Sequence, residues 1–462
     1  MSSAERYELP AGHASCRSHW GGRAWQFALL VVAVAARVAV LAWAERSPER
    51  FDFPDSHRYV RVARNIAAGL GPIDSESVRA GTDPLYPWVL SLGIHLGFES
   101  DRAVFRLARI VNAVAAVASV ILLAALGRRL FGARAGLIGA AILAVDPILL
   151  YFNALVLTET LYIALLLAAL YCAARAVTAG VADAPAAASG DFRAPAAWFL
   201  ASGVAMGLGT LTRSTAVLLP LFMIPVFGAA APRGRRLVSA LAVLIGAAGV
   251  MTPTILRNYH AVGHFVPART GSGPSLLEAL GPWADGAPGM DRIIYPPMPE
   301  GVGEYERDRL CREAAWAWAR ANPGAALRLA FVKAGRTWSP LLHAQGHSSG
   351  IQQIVSVLTV VPIYLLALAG VRRLWSGRPA PARDAGWEVS SRAAEDPGGL
   401  PGRWLIALLL APAAYFTLIH MVFVGSVRYR VPLMPLLFLL AAVALEGLPV
   451  RERRPMGASR GA

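Results

Sequence analysis

The sequence predicts an all-α, polytopic membrane protein with about ten transmembrane helices. Hydrophobic residues make up 56% of its 462 residues, and charged residues only 16%. Soluble domains carry about 25% charged residues, so this composition is typical of a membrane protein. Apolar runs approaching the roughly 20 residues that cross a bilayer as a helix recur along the chain.

The predicted spans follow these apolar runs and together define one transmembrane domain, 24–448, between short tails at 1–23 and 449–462. Their approximate limits are 24–44, 103–126, 135–150, 155–174, 196–211, 216–231, 237–252, 351–370, 404–420 and 431–447. No small-residue cleavage site follows the first apolar run convincingly, so we expect that run to be a retained helix.

Two long polar loops, about 45–102 and 253–350, separate groups of spans. Within the first loop, Pro84 to Gly97 is amphipathic and contains Trp88, which predicts a helix lying in the membrane interface. Two segments rich in small residues and proline, about 177–195 and 374–403, are predicted to be flexible linkers.

The net charge of +15 comes almost entirely from arginine, since Lys333 is the only lysine. A basic chain can bind nucleic acid, but here arginines cluster in short loops such as Gly127–Arg134 and Arg233–Arg236. This distribution follows the positive-inside rule. It predicts that both termini and both linkers lie in the cytoplasm and that the two long loops lie outside. The Ala- and Arg-rich, Lys-poor composition indicates a GC-rich bacterial genome, so the expected location is a bacterial plasma membrane.

The sequence predicts no metal site, no cofactor and no disulfide. The three cysteines, Cys16, Cys172 and Cys311, lie far apart without metal-ligand spacing and are expected in different compartments.

The stretch Phe51 to Arg64, F-D-F-P-D-S-H-R-Y-V-R-V-A-R, follows the first span directly and is interpreted as a loop outside the membrane. Asp55 in this loop could accept a proton from an acceptor hydroxyl. Alternatively, Pro-Asp-Ser is a good helix start, and Asp55 could cap a helix beginning near Ser56. From these residues alone the cap is favoured. Asp52 is a possible second carboxylate, and His57 is a second candidate base.

Glu159 lies in L-T-E-T-L at the predicted outer end of the fourth span. A carboxylate in an apolar helix is costly and is therefore a functional candidate. It could orient the acceptor or a catalytic arginine, or simply pair with an arginine at the membrane edge.

Arg428 and Arg430 flank Tyr429 in V-R-Y-R-V-P, before the last span. A guanidinium group matches phosphate oxygens, but long basic side chains also extend to lipid headgroups. Arg213 and Arg257 have the same two interpretations, and we favour phosphate contact for Arg428.

Four blocks of the chain, in order, are similar to one family. They are P-D-S-H-R-Y-V-R-V-A-R-N-I-A-A-G-L-G with D-P-L-Y-P; R-L-F-G-A-R-A-G-L-I-G-A-A-I-L-A-V-D-P with L-T-E-T-L; T-P-T-I-L-R-N-Y-H-A-V-G-H-F-V-P-A-R-T-G-S-G; and V-R-Y-R-V-P-L-M-P. From about Arg37 to Leu448, the chain resembles the bacterial ArnT-like and protein-mannosyltransferase-like enzymes, which have the GT-C glycosyltransferase fold.

The resemblance implies a membrane enzyme that takes a sugar from a polyprenyl-phosphate-linked donor. It would transfer that sugar outside the cytoplasm to a lipid, protein or glycan acceptor, with inversion at the anomeric carbon. An Asp in the first external loop is the expected general base, which favours Asp55 as catalytic, together with Glu159. The expected substrate-binding residues are Asp52, His57, Arg58, Tyr59, Tyr86, Arg213, Arg257, Asn258, Arg428 and Tyr429.

Two other functions share the same spans. A transporter or flippase of a lipid-linked sugar usually contains internal repeats and charges near the membrane midplane. No repeat is found here, and the charges gather on one face, which favours an enzyme. A non-catalytic assembly scaffold would tolerate loss of Asp55, whereas the enzyme would not.

Overall fold

A computed structural model describes residues 20–182, 193–231, 233–343, 349–376 and 400–446. The described residues form α-helices and short 3-10 helices, with one isolated bridge between Ser75 and Val78, so the all-α prediction is confirmed. The helices are α1 (Trp20–Arg46), α2 (Pro54–Ala67), α3 (Leu85–His95), α4 (Asp101–Phe131), α5 (Ala133–Val145), α6 (Pro147–Ala154), α7 (Glu159–Ala182), α8 (Arg193–Thr212), α9 (Leu219–Ala230), α10 (Arg236–Val262), α11 (Ser272–Ala279), α12 (Glu304–Ala321), α13 (Pro323–Trp338), α14 (Gly350–Trp375), α15 (Gly402–Val422) and α16 (Met434–Glu446).

Eight helices within the described ranges are long and apolar enough to cross a membrane. The pair α5 and α6, bent by 54°, forms a ninth candidate, and the shorter apolar segment Ser214–Ala230 coincides with the predicted sixth span. Each of the ten predicted spans therefore corresponds to an apolar helical segment. The bend occurs at Asp146-Pro147, where the Asp146 carboxylate accepts a hydrogen bond from the Leu149 N–H at 2.9 Å and so starts α6.

The seventh span was predicted to end near Thr252, and this limit is wrong. Helix α10 continues through Pro253 to Val262. A proline removes one backbone donor and strains the turn before it, but it does not always end a helix. Gly263, with φ of +72°, ends α10 instead.

The two long polar segments between the spans contain helices. Helix α3 coincides with the predicted interfacial helix, and its Trp88 is 38% exposed. The stretch Phe51 to Arg64, interpreted as a loop, is helical from Pro54 onwards in α2. Beyond α10, the second segment folds into α11, α12 and α13.

The predicted linkers and tails lie largely outside the described residues. Where they are described, 177–182 continues α7 and 193–195 begins α8, so the first linker is shorter than predicted. The tail 449–462 and residues 1–19 are not described.

Small residues let the spanning helices approach closely. A Cβ on Gly203 of α8 would lie 2.1 Å from the Val243 carbonyl oxygen of α10, and one on Gly246 would lie 2.3 Å from the Leu200 oxygen. Such contacts between backbones are typical of helix packing in membranes. They hold α8 and α10 together beneath the loops that carry the candidate site.

Candidate active site

Asp55 lies in the first turn of α2, after Phe53 at the N-cap position and Pro54 at the first helical position. No side chain caps this helix, so the expected capping role of Asp55 is wrong. Instead, its Oδ2 accepts a hydrogen bond from Arg428 Nη1 at 2.8 Å. The opposite oxygen, Oδ1, makes no hydrogen bond within the described residues.

Arg428 belongs to the 3-10 helix Val427–Leu433 and contacts a second carboxylate. Its Nε donates to Glu159 Oε1, which also accepts from Arg213 Nη1 at 2.8 Å. Glu159 is the first residue of α7 and is fully buried. It therefore pairs with two arginines at the start of a spanning helix, which matches the interpretation that Glu159 pairs with an arginine at the membrane edge. One of the two, Arg428, also bonds Asp55.

Helix α4 fixes the chain just before Glu159. Asn112 Nδ2 donates to the Leu155 carbonyl oxygen at 2.7 Å, and Arg109 Nε donates to that of Ala154 at 3.1 Å. Buried polar groups must be paired to be tolerated. These contacts fix Ala154 and Leu155 and thereby help to position the Glu159 carboxylate.

The charges around Asp55 control its protonation. Burial would raise the pKa of the Asp55 carboxyl, but Arg428, with Arg58 and Arg269, outweighs burial and holds that pKa below its usual range. Asp55 is therefore an ionised carboxylate at neutral pH, the form that can accept a proton.

A second carboxylate and arginine, Asp83 and Arg269, lie close to the first pair. Asp83 Oδ1 accepts from the Ser214 N–H at 3.2 Å, and its Oδ2 is 3.6 Å from Arg269 Nε. Arg269 Nε also donates to Ser214 Oγ at 3.1 Å and Nη1 to the Gly81 carbonyl oxygen at 3.3 Å. Burial raises the pKa of Asp83, although Arg269 and Ser214 oppose the rise.

These groups line one cavity of about 460 Å³. Its polar walls comprise both arginine–carboxylate pairs, Ser214, Ser272, Ser275 and Glu278, and its apolar walls include Ile419, Phe423 and Val424. The ring of His420 stacks on that of Tyr429, with 3.8 Å between centroids. The cavity can accommodate a charged, hydroxyl-bearing group beside apolar surface.

Half of the predicted site residues meet at this cavity. Asp55, Arg58, Tyr59, Arg213, Arg428 and Tyr429 line it, and Glu159 lies behind Arg213 and Arg428. The pKa of the Tyr59 hydroxyl is raised to about 12, chiefly by burial.

Asp52 and His57 are placed elsewhere. Asp52 Oδ1 lies 2.8 Å from His57 Nε2, and both side chains are more than half exposed. They line a separate hollow with Glu45, Arg102 and Phe105. Their position therefore does not support the substrate-binding role that was predicted for them.

Tyr86, Arg257 and Asn258 support the cavity from outside it. Tyr86 packs edge-on against Tyr59 with 5.5 Å between ring centroids. Asn258 Nδ2 donates to the carbonyl oxygens of Val266 and Ala268, at 3.1 and 2.9 Å, and accepts from Arg257. Asn258 thereby holds the loop that carries Arg269.

Asp83, Arg269 and Glu278 were missed as site residues, although the first two lie in the quoted blocks D-P-L-Y-P and P-A-R-T-G-S-G. An aspartate before a proline usually indicates a turn, so the residue type of Asp83 alone did not identify it as a site residue. Both loops carry several other acids and arginines, so nothing in the sequence singled out the contact between Asp83 and Arg269.

A family model described as dolichyl-phosphate-mannose-protein mannosyltransferase matches residues 81–256. The matched part includes Asp83, Glu159 and Arg213, and ends before Arg269 and Arg428. No curated protein matches the chain in sequence.

The fold is similar to that of the Archaeoglobus fulgidus oligosaccharyltransferase. The apo crystal structure is 13% identical, with 93% of this chain and 51% of that chain covered at a TM-score of 0.58. AglB from the same organism, in complex with an inhibitory peptide and a dolichol-phosphate, is 14% identical. The match covers 92% of this chain and 50% of that chain at a TM-score of 0.57. This chain spans about half the length of these proteins.

ArnT from Cupriavidus metallidurans bound to undecaprenyl phosphate is 16% identical. The match covers 92% of this chain and 77% of that chain at a TM-score of 0.40. The oligosaccharyltransferase likeness and the family-model match confirm the predicted resemblance: the chain has the GT-C fold of these membrane glycosyltransferases.

Proposed function

We propose that this GT-C-fold chain transfers a sugar from a polyprenyl-phosphate-linked donor to an acceptor hydroxyl at the extracytoplasmic face, with inversion and with Asp55 as general base. One observation carries the proposal: the Asp55 carboxylate accepts a hydrogen bond from Arg428 in a cavity that also contains further arginines. The complex of the archaeal relative with a dolichol-phosphate supports a lipid-phosphate ligand for this fold.

The reaction needs three functions from the cavity. Oδ1 of Asp55 accepts the proton of the acceptor hydroxyl as its oxygen attacks the anomeric carbon. The bond between that carbon and the phosphate oxygen breaks on the opposite side, and the lipid phosphate leaves with the electron pair. Arginines stabilise the negative charge that develops on the phosphate.

Arg269 and Arg58 suit the phosphate better than Arg428. The Arg428 guanidinium already bonds two carboxylates, on Asp55 and Glu159. By contrast, the Arg269 and Arg58 Nε atoms lie 3.6 and 3.7 Å from the carboxylates of Asp83 and Asp74, beyond ordinary hydrogen-bond length. The hydrogen bonds that Arg269 makes go to neutral oxygens, on Ser214 and Gly81. We therefore give Arg428 the role of holding Asp55, and Arg269 with Arg58 the role of binding phosphate.

The proposed enzyme needs no cofactor; the lipid-linked sugar is a substrate. The long apolar surface of the spanning helices and the half-apolar cavity fit a donor that stays in the bilayer while its sugar enters the cavity. Orientation with the cavity outside the cytoplasm, in a bacterial plasma membrane, rests on the distribution of arginine.

The test is transfer by the purified protein in nanodiscs. Polyprenyl-phosphate sugars from a bacterial lipid extract are supplied with a panel of lipid, peptide and glycan acceptors, and the product anomer is determined by NMR. We expect a product whose anomeric configuration is opposite to that of the donor. Retained configuration would exclude the single-displacement mechanism, and movement of the lipid across the bilayer without transfer would favour the flippase.

A further inference from the structure

Lys333 is the only lysine among 44 basic residues, and it is fully buried in α13. Its Nζ donates to the carbonyl oxygen of Val422 at 2.9 Å and contacts that of Met421 at 3.5 Å. No carboxylate pairs with it in the described part of the chain. A buried cation paired only with carbonyl groups is costly, so its place calls for a physical reason.

The two carbonyl groups belong to the last turn of α15. The last four carbonyl groups of a helix lack partners within the helix, and they form the negative end of its dipole. The Lys333 ammonium group donates to these carbonyl groups and also places a positive charge at the negative end of the dipole. It therefore fixes where α15 ends.

The chain leaving α15 is pressed against the same lysine. A Cβ on Gly425 would lie 2.4 Å from the Lys333 carbonyl oxygen and 2.7 Å from its Cα. The Gly425 N–H donates to the Gly286 carbonyl oxygen at 2.9 Å. Only glycine fits this close contact, which leaves the segment between Val422 and Val427 one path.

That path leads directly to the candidate site. Ser426 caps the 3-10 helix by accepting from the Arg428 N–H at 3.3 Å. His420, two residues before Val422, stacks on Tyr429. A displacement of the end of α15 would move Arg428 away from Asp55.

We propose that Lys333 is a positioning residue, which holds Arg428 against Asp55 by terminating α15. This inference rests on the proposed transfer reaction, because its readout is the behaviour of Asp55 as a base.

The elements next to Lys333 carry other titratable or charged groups, none of which bonds to its Nζ within the described residues. They are Arg336 on α13, Asp285 beside Gly286, His420 on α15 and Arg430 on the 3-10 helix. Asp285 pairs with Arg292, and Arg430 donates to the Ser339 carbonyl oxygen. The hold on α15 therefore depends on the Lys333 side chain itself.

The experiment compares the pH dependence of kcat in the wild type, Lys333→Met, Lys333→Gln and the control Arg328→Met. Arg328 is an exposed residue of the same helix. Misplacement by about 1 Å can lower turnover roughly a hundredfold, so we expect a loss of that order in Lys333→Met. Lys333→Gln, which keeps an N–H donor, should lose less, and Arg328→Met should match the wild type.

The decisive readout is the acid limb of the kcat profile. Arg428 lowers the pKa of Asp55, so displacement of Arg428 must raise that pKa and move the acid limb to higher pH. A structural weakening alone lowers kcat equally at every pH and leaves the limb in place, and that result would overturn the inference.

A third variant covers failure of Lys333→Met to fold. Gly425→Ala pushes the same segment away from Lys333 and should move the limb in the same direction. If the folded Lys333 variants keep the wild-type kcat and the wild-type acid limb, the positioning role is refuted and the proposed function is unaffected. Absence of transfer by the wild type would remove the proposed function and this inference together.

Discussion

Arg428 holds Asp55 through a 2.8 Å hydrogen bond, although 373 residues separate the two along the chain. The same guanidinium reaches the buried Glu159. The Arg428 side chain thus connects α2 to the start of α7. This connection decides which variants test the site.

Asp55→Asn keeps the size of the side chain and can still accept a hydrogen bond from Arg428, but it cannot take up the proton. General-base catalysis contributes about 10²- to 10⁴-fold, so turnover should fall by that order. The measurement is sugar transfer by purified protein, with a melting curve for each variant. Near-normal turnover in a folded Asp55→Asn variant would exclude Asp55 as the base and move the search to the other carboxylates of the cavity, Asp83 and Glu278.

Arg428→Ala leaves Glu159 buried with Arg213 as its remaining arginine and releases Asp55. An uncompensated buried charge costs about 3–5 kcal/mol; because Glu159 keeps Arg213, only part of that cost should appear, and the melting temperature should fall. Arg428→Lys keeps the charge but loses the planar fork that reaches two carboxylates. Compared with Arg428→Ala, we expect Arg428→Lys to recover part of the stability but little of the turnover. Equal turnover in the wild type and in Arg428→Lys would show that the contact of one guanidinium with both carboxylates is not required.

Arg269 and Asp83 should change phosphate binding in opposite directions. Arg269→Gln removes a charge-assisted hydrogen bond of about 1.5–3 kcal/mol, which weakens binding about ten- to a hundredfold. Asp83→Asn removes a competing carboxylate 3.6 Å from Arg269 and should tighten binding.

The probe for this pair is farnesyl phosphate, titrated by calorimetry against farnesol, which lacks the phosphate. Arg64→Gln is the matched control, because Arg64 is an exposed residue of α2 paired with Asp101. Weaker binding in Arg428→Gln but not in Arg269→Gln would return the phosphate to Arg428.

Reporter fusions test the orientation. Fusions after Arg134 and Arg236 should report cytoplasm, and fusions at Gly81 and Gly286 should report the outside, because the arginine clusters stay inside. Gly81 and Arg134 are separated by the single span α4. If both sites score on one side, the ten-span arrangement and the extracytoplasmic site fail together.

Lys333 makes stability depend on pH in a defined direction. Burial lowers its pKa to about 8, whereas the unfolded value is about 10.4. The unfolded state therefore binds more protons between these values, and stability must rise with pH there. The melting temperature of the wild type relative to Lys333→Met should increase from about pH 8 to pH 10; a flat difference would show that Lys333 titrates normally.

The spans were predictable because each depends on a local apolar run. The partner of Asp55 was not, since nothing near Asp55 in sequence indicates a contact with Arg428. The same limit applies to Asp83, whose partner Arg269 lies in another loop. Pro253 misled the prediction of α10 because a proline inside a helix is compatible with helix continuation when tertiary contacts compensate. Asp52 and His57 shared the charged stretch with Asp55, but helix α2 begins at Pro54 and directs Asp52 to a different surface.

The burial of Glu159 between two arginines from later segments has a consequence for biogenesis. During synthesis α7 emerges long before the residue at 428, and until then Glu159 has only Arg213, 54 positions later, as a possible neutralising partner. A ribosome-bound chain stopped before Arg428 would thus carry an incompletely neutralised carboxylate at the membrane edge. Products truncated before Arg428 should be substrates for membrane quality-control proteases, and chains that include the 3-10 helix Val427–Leu433 should escape them.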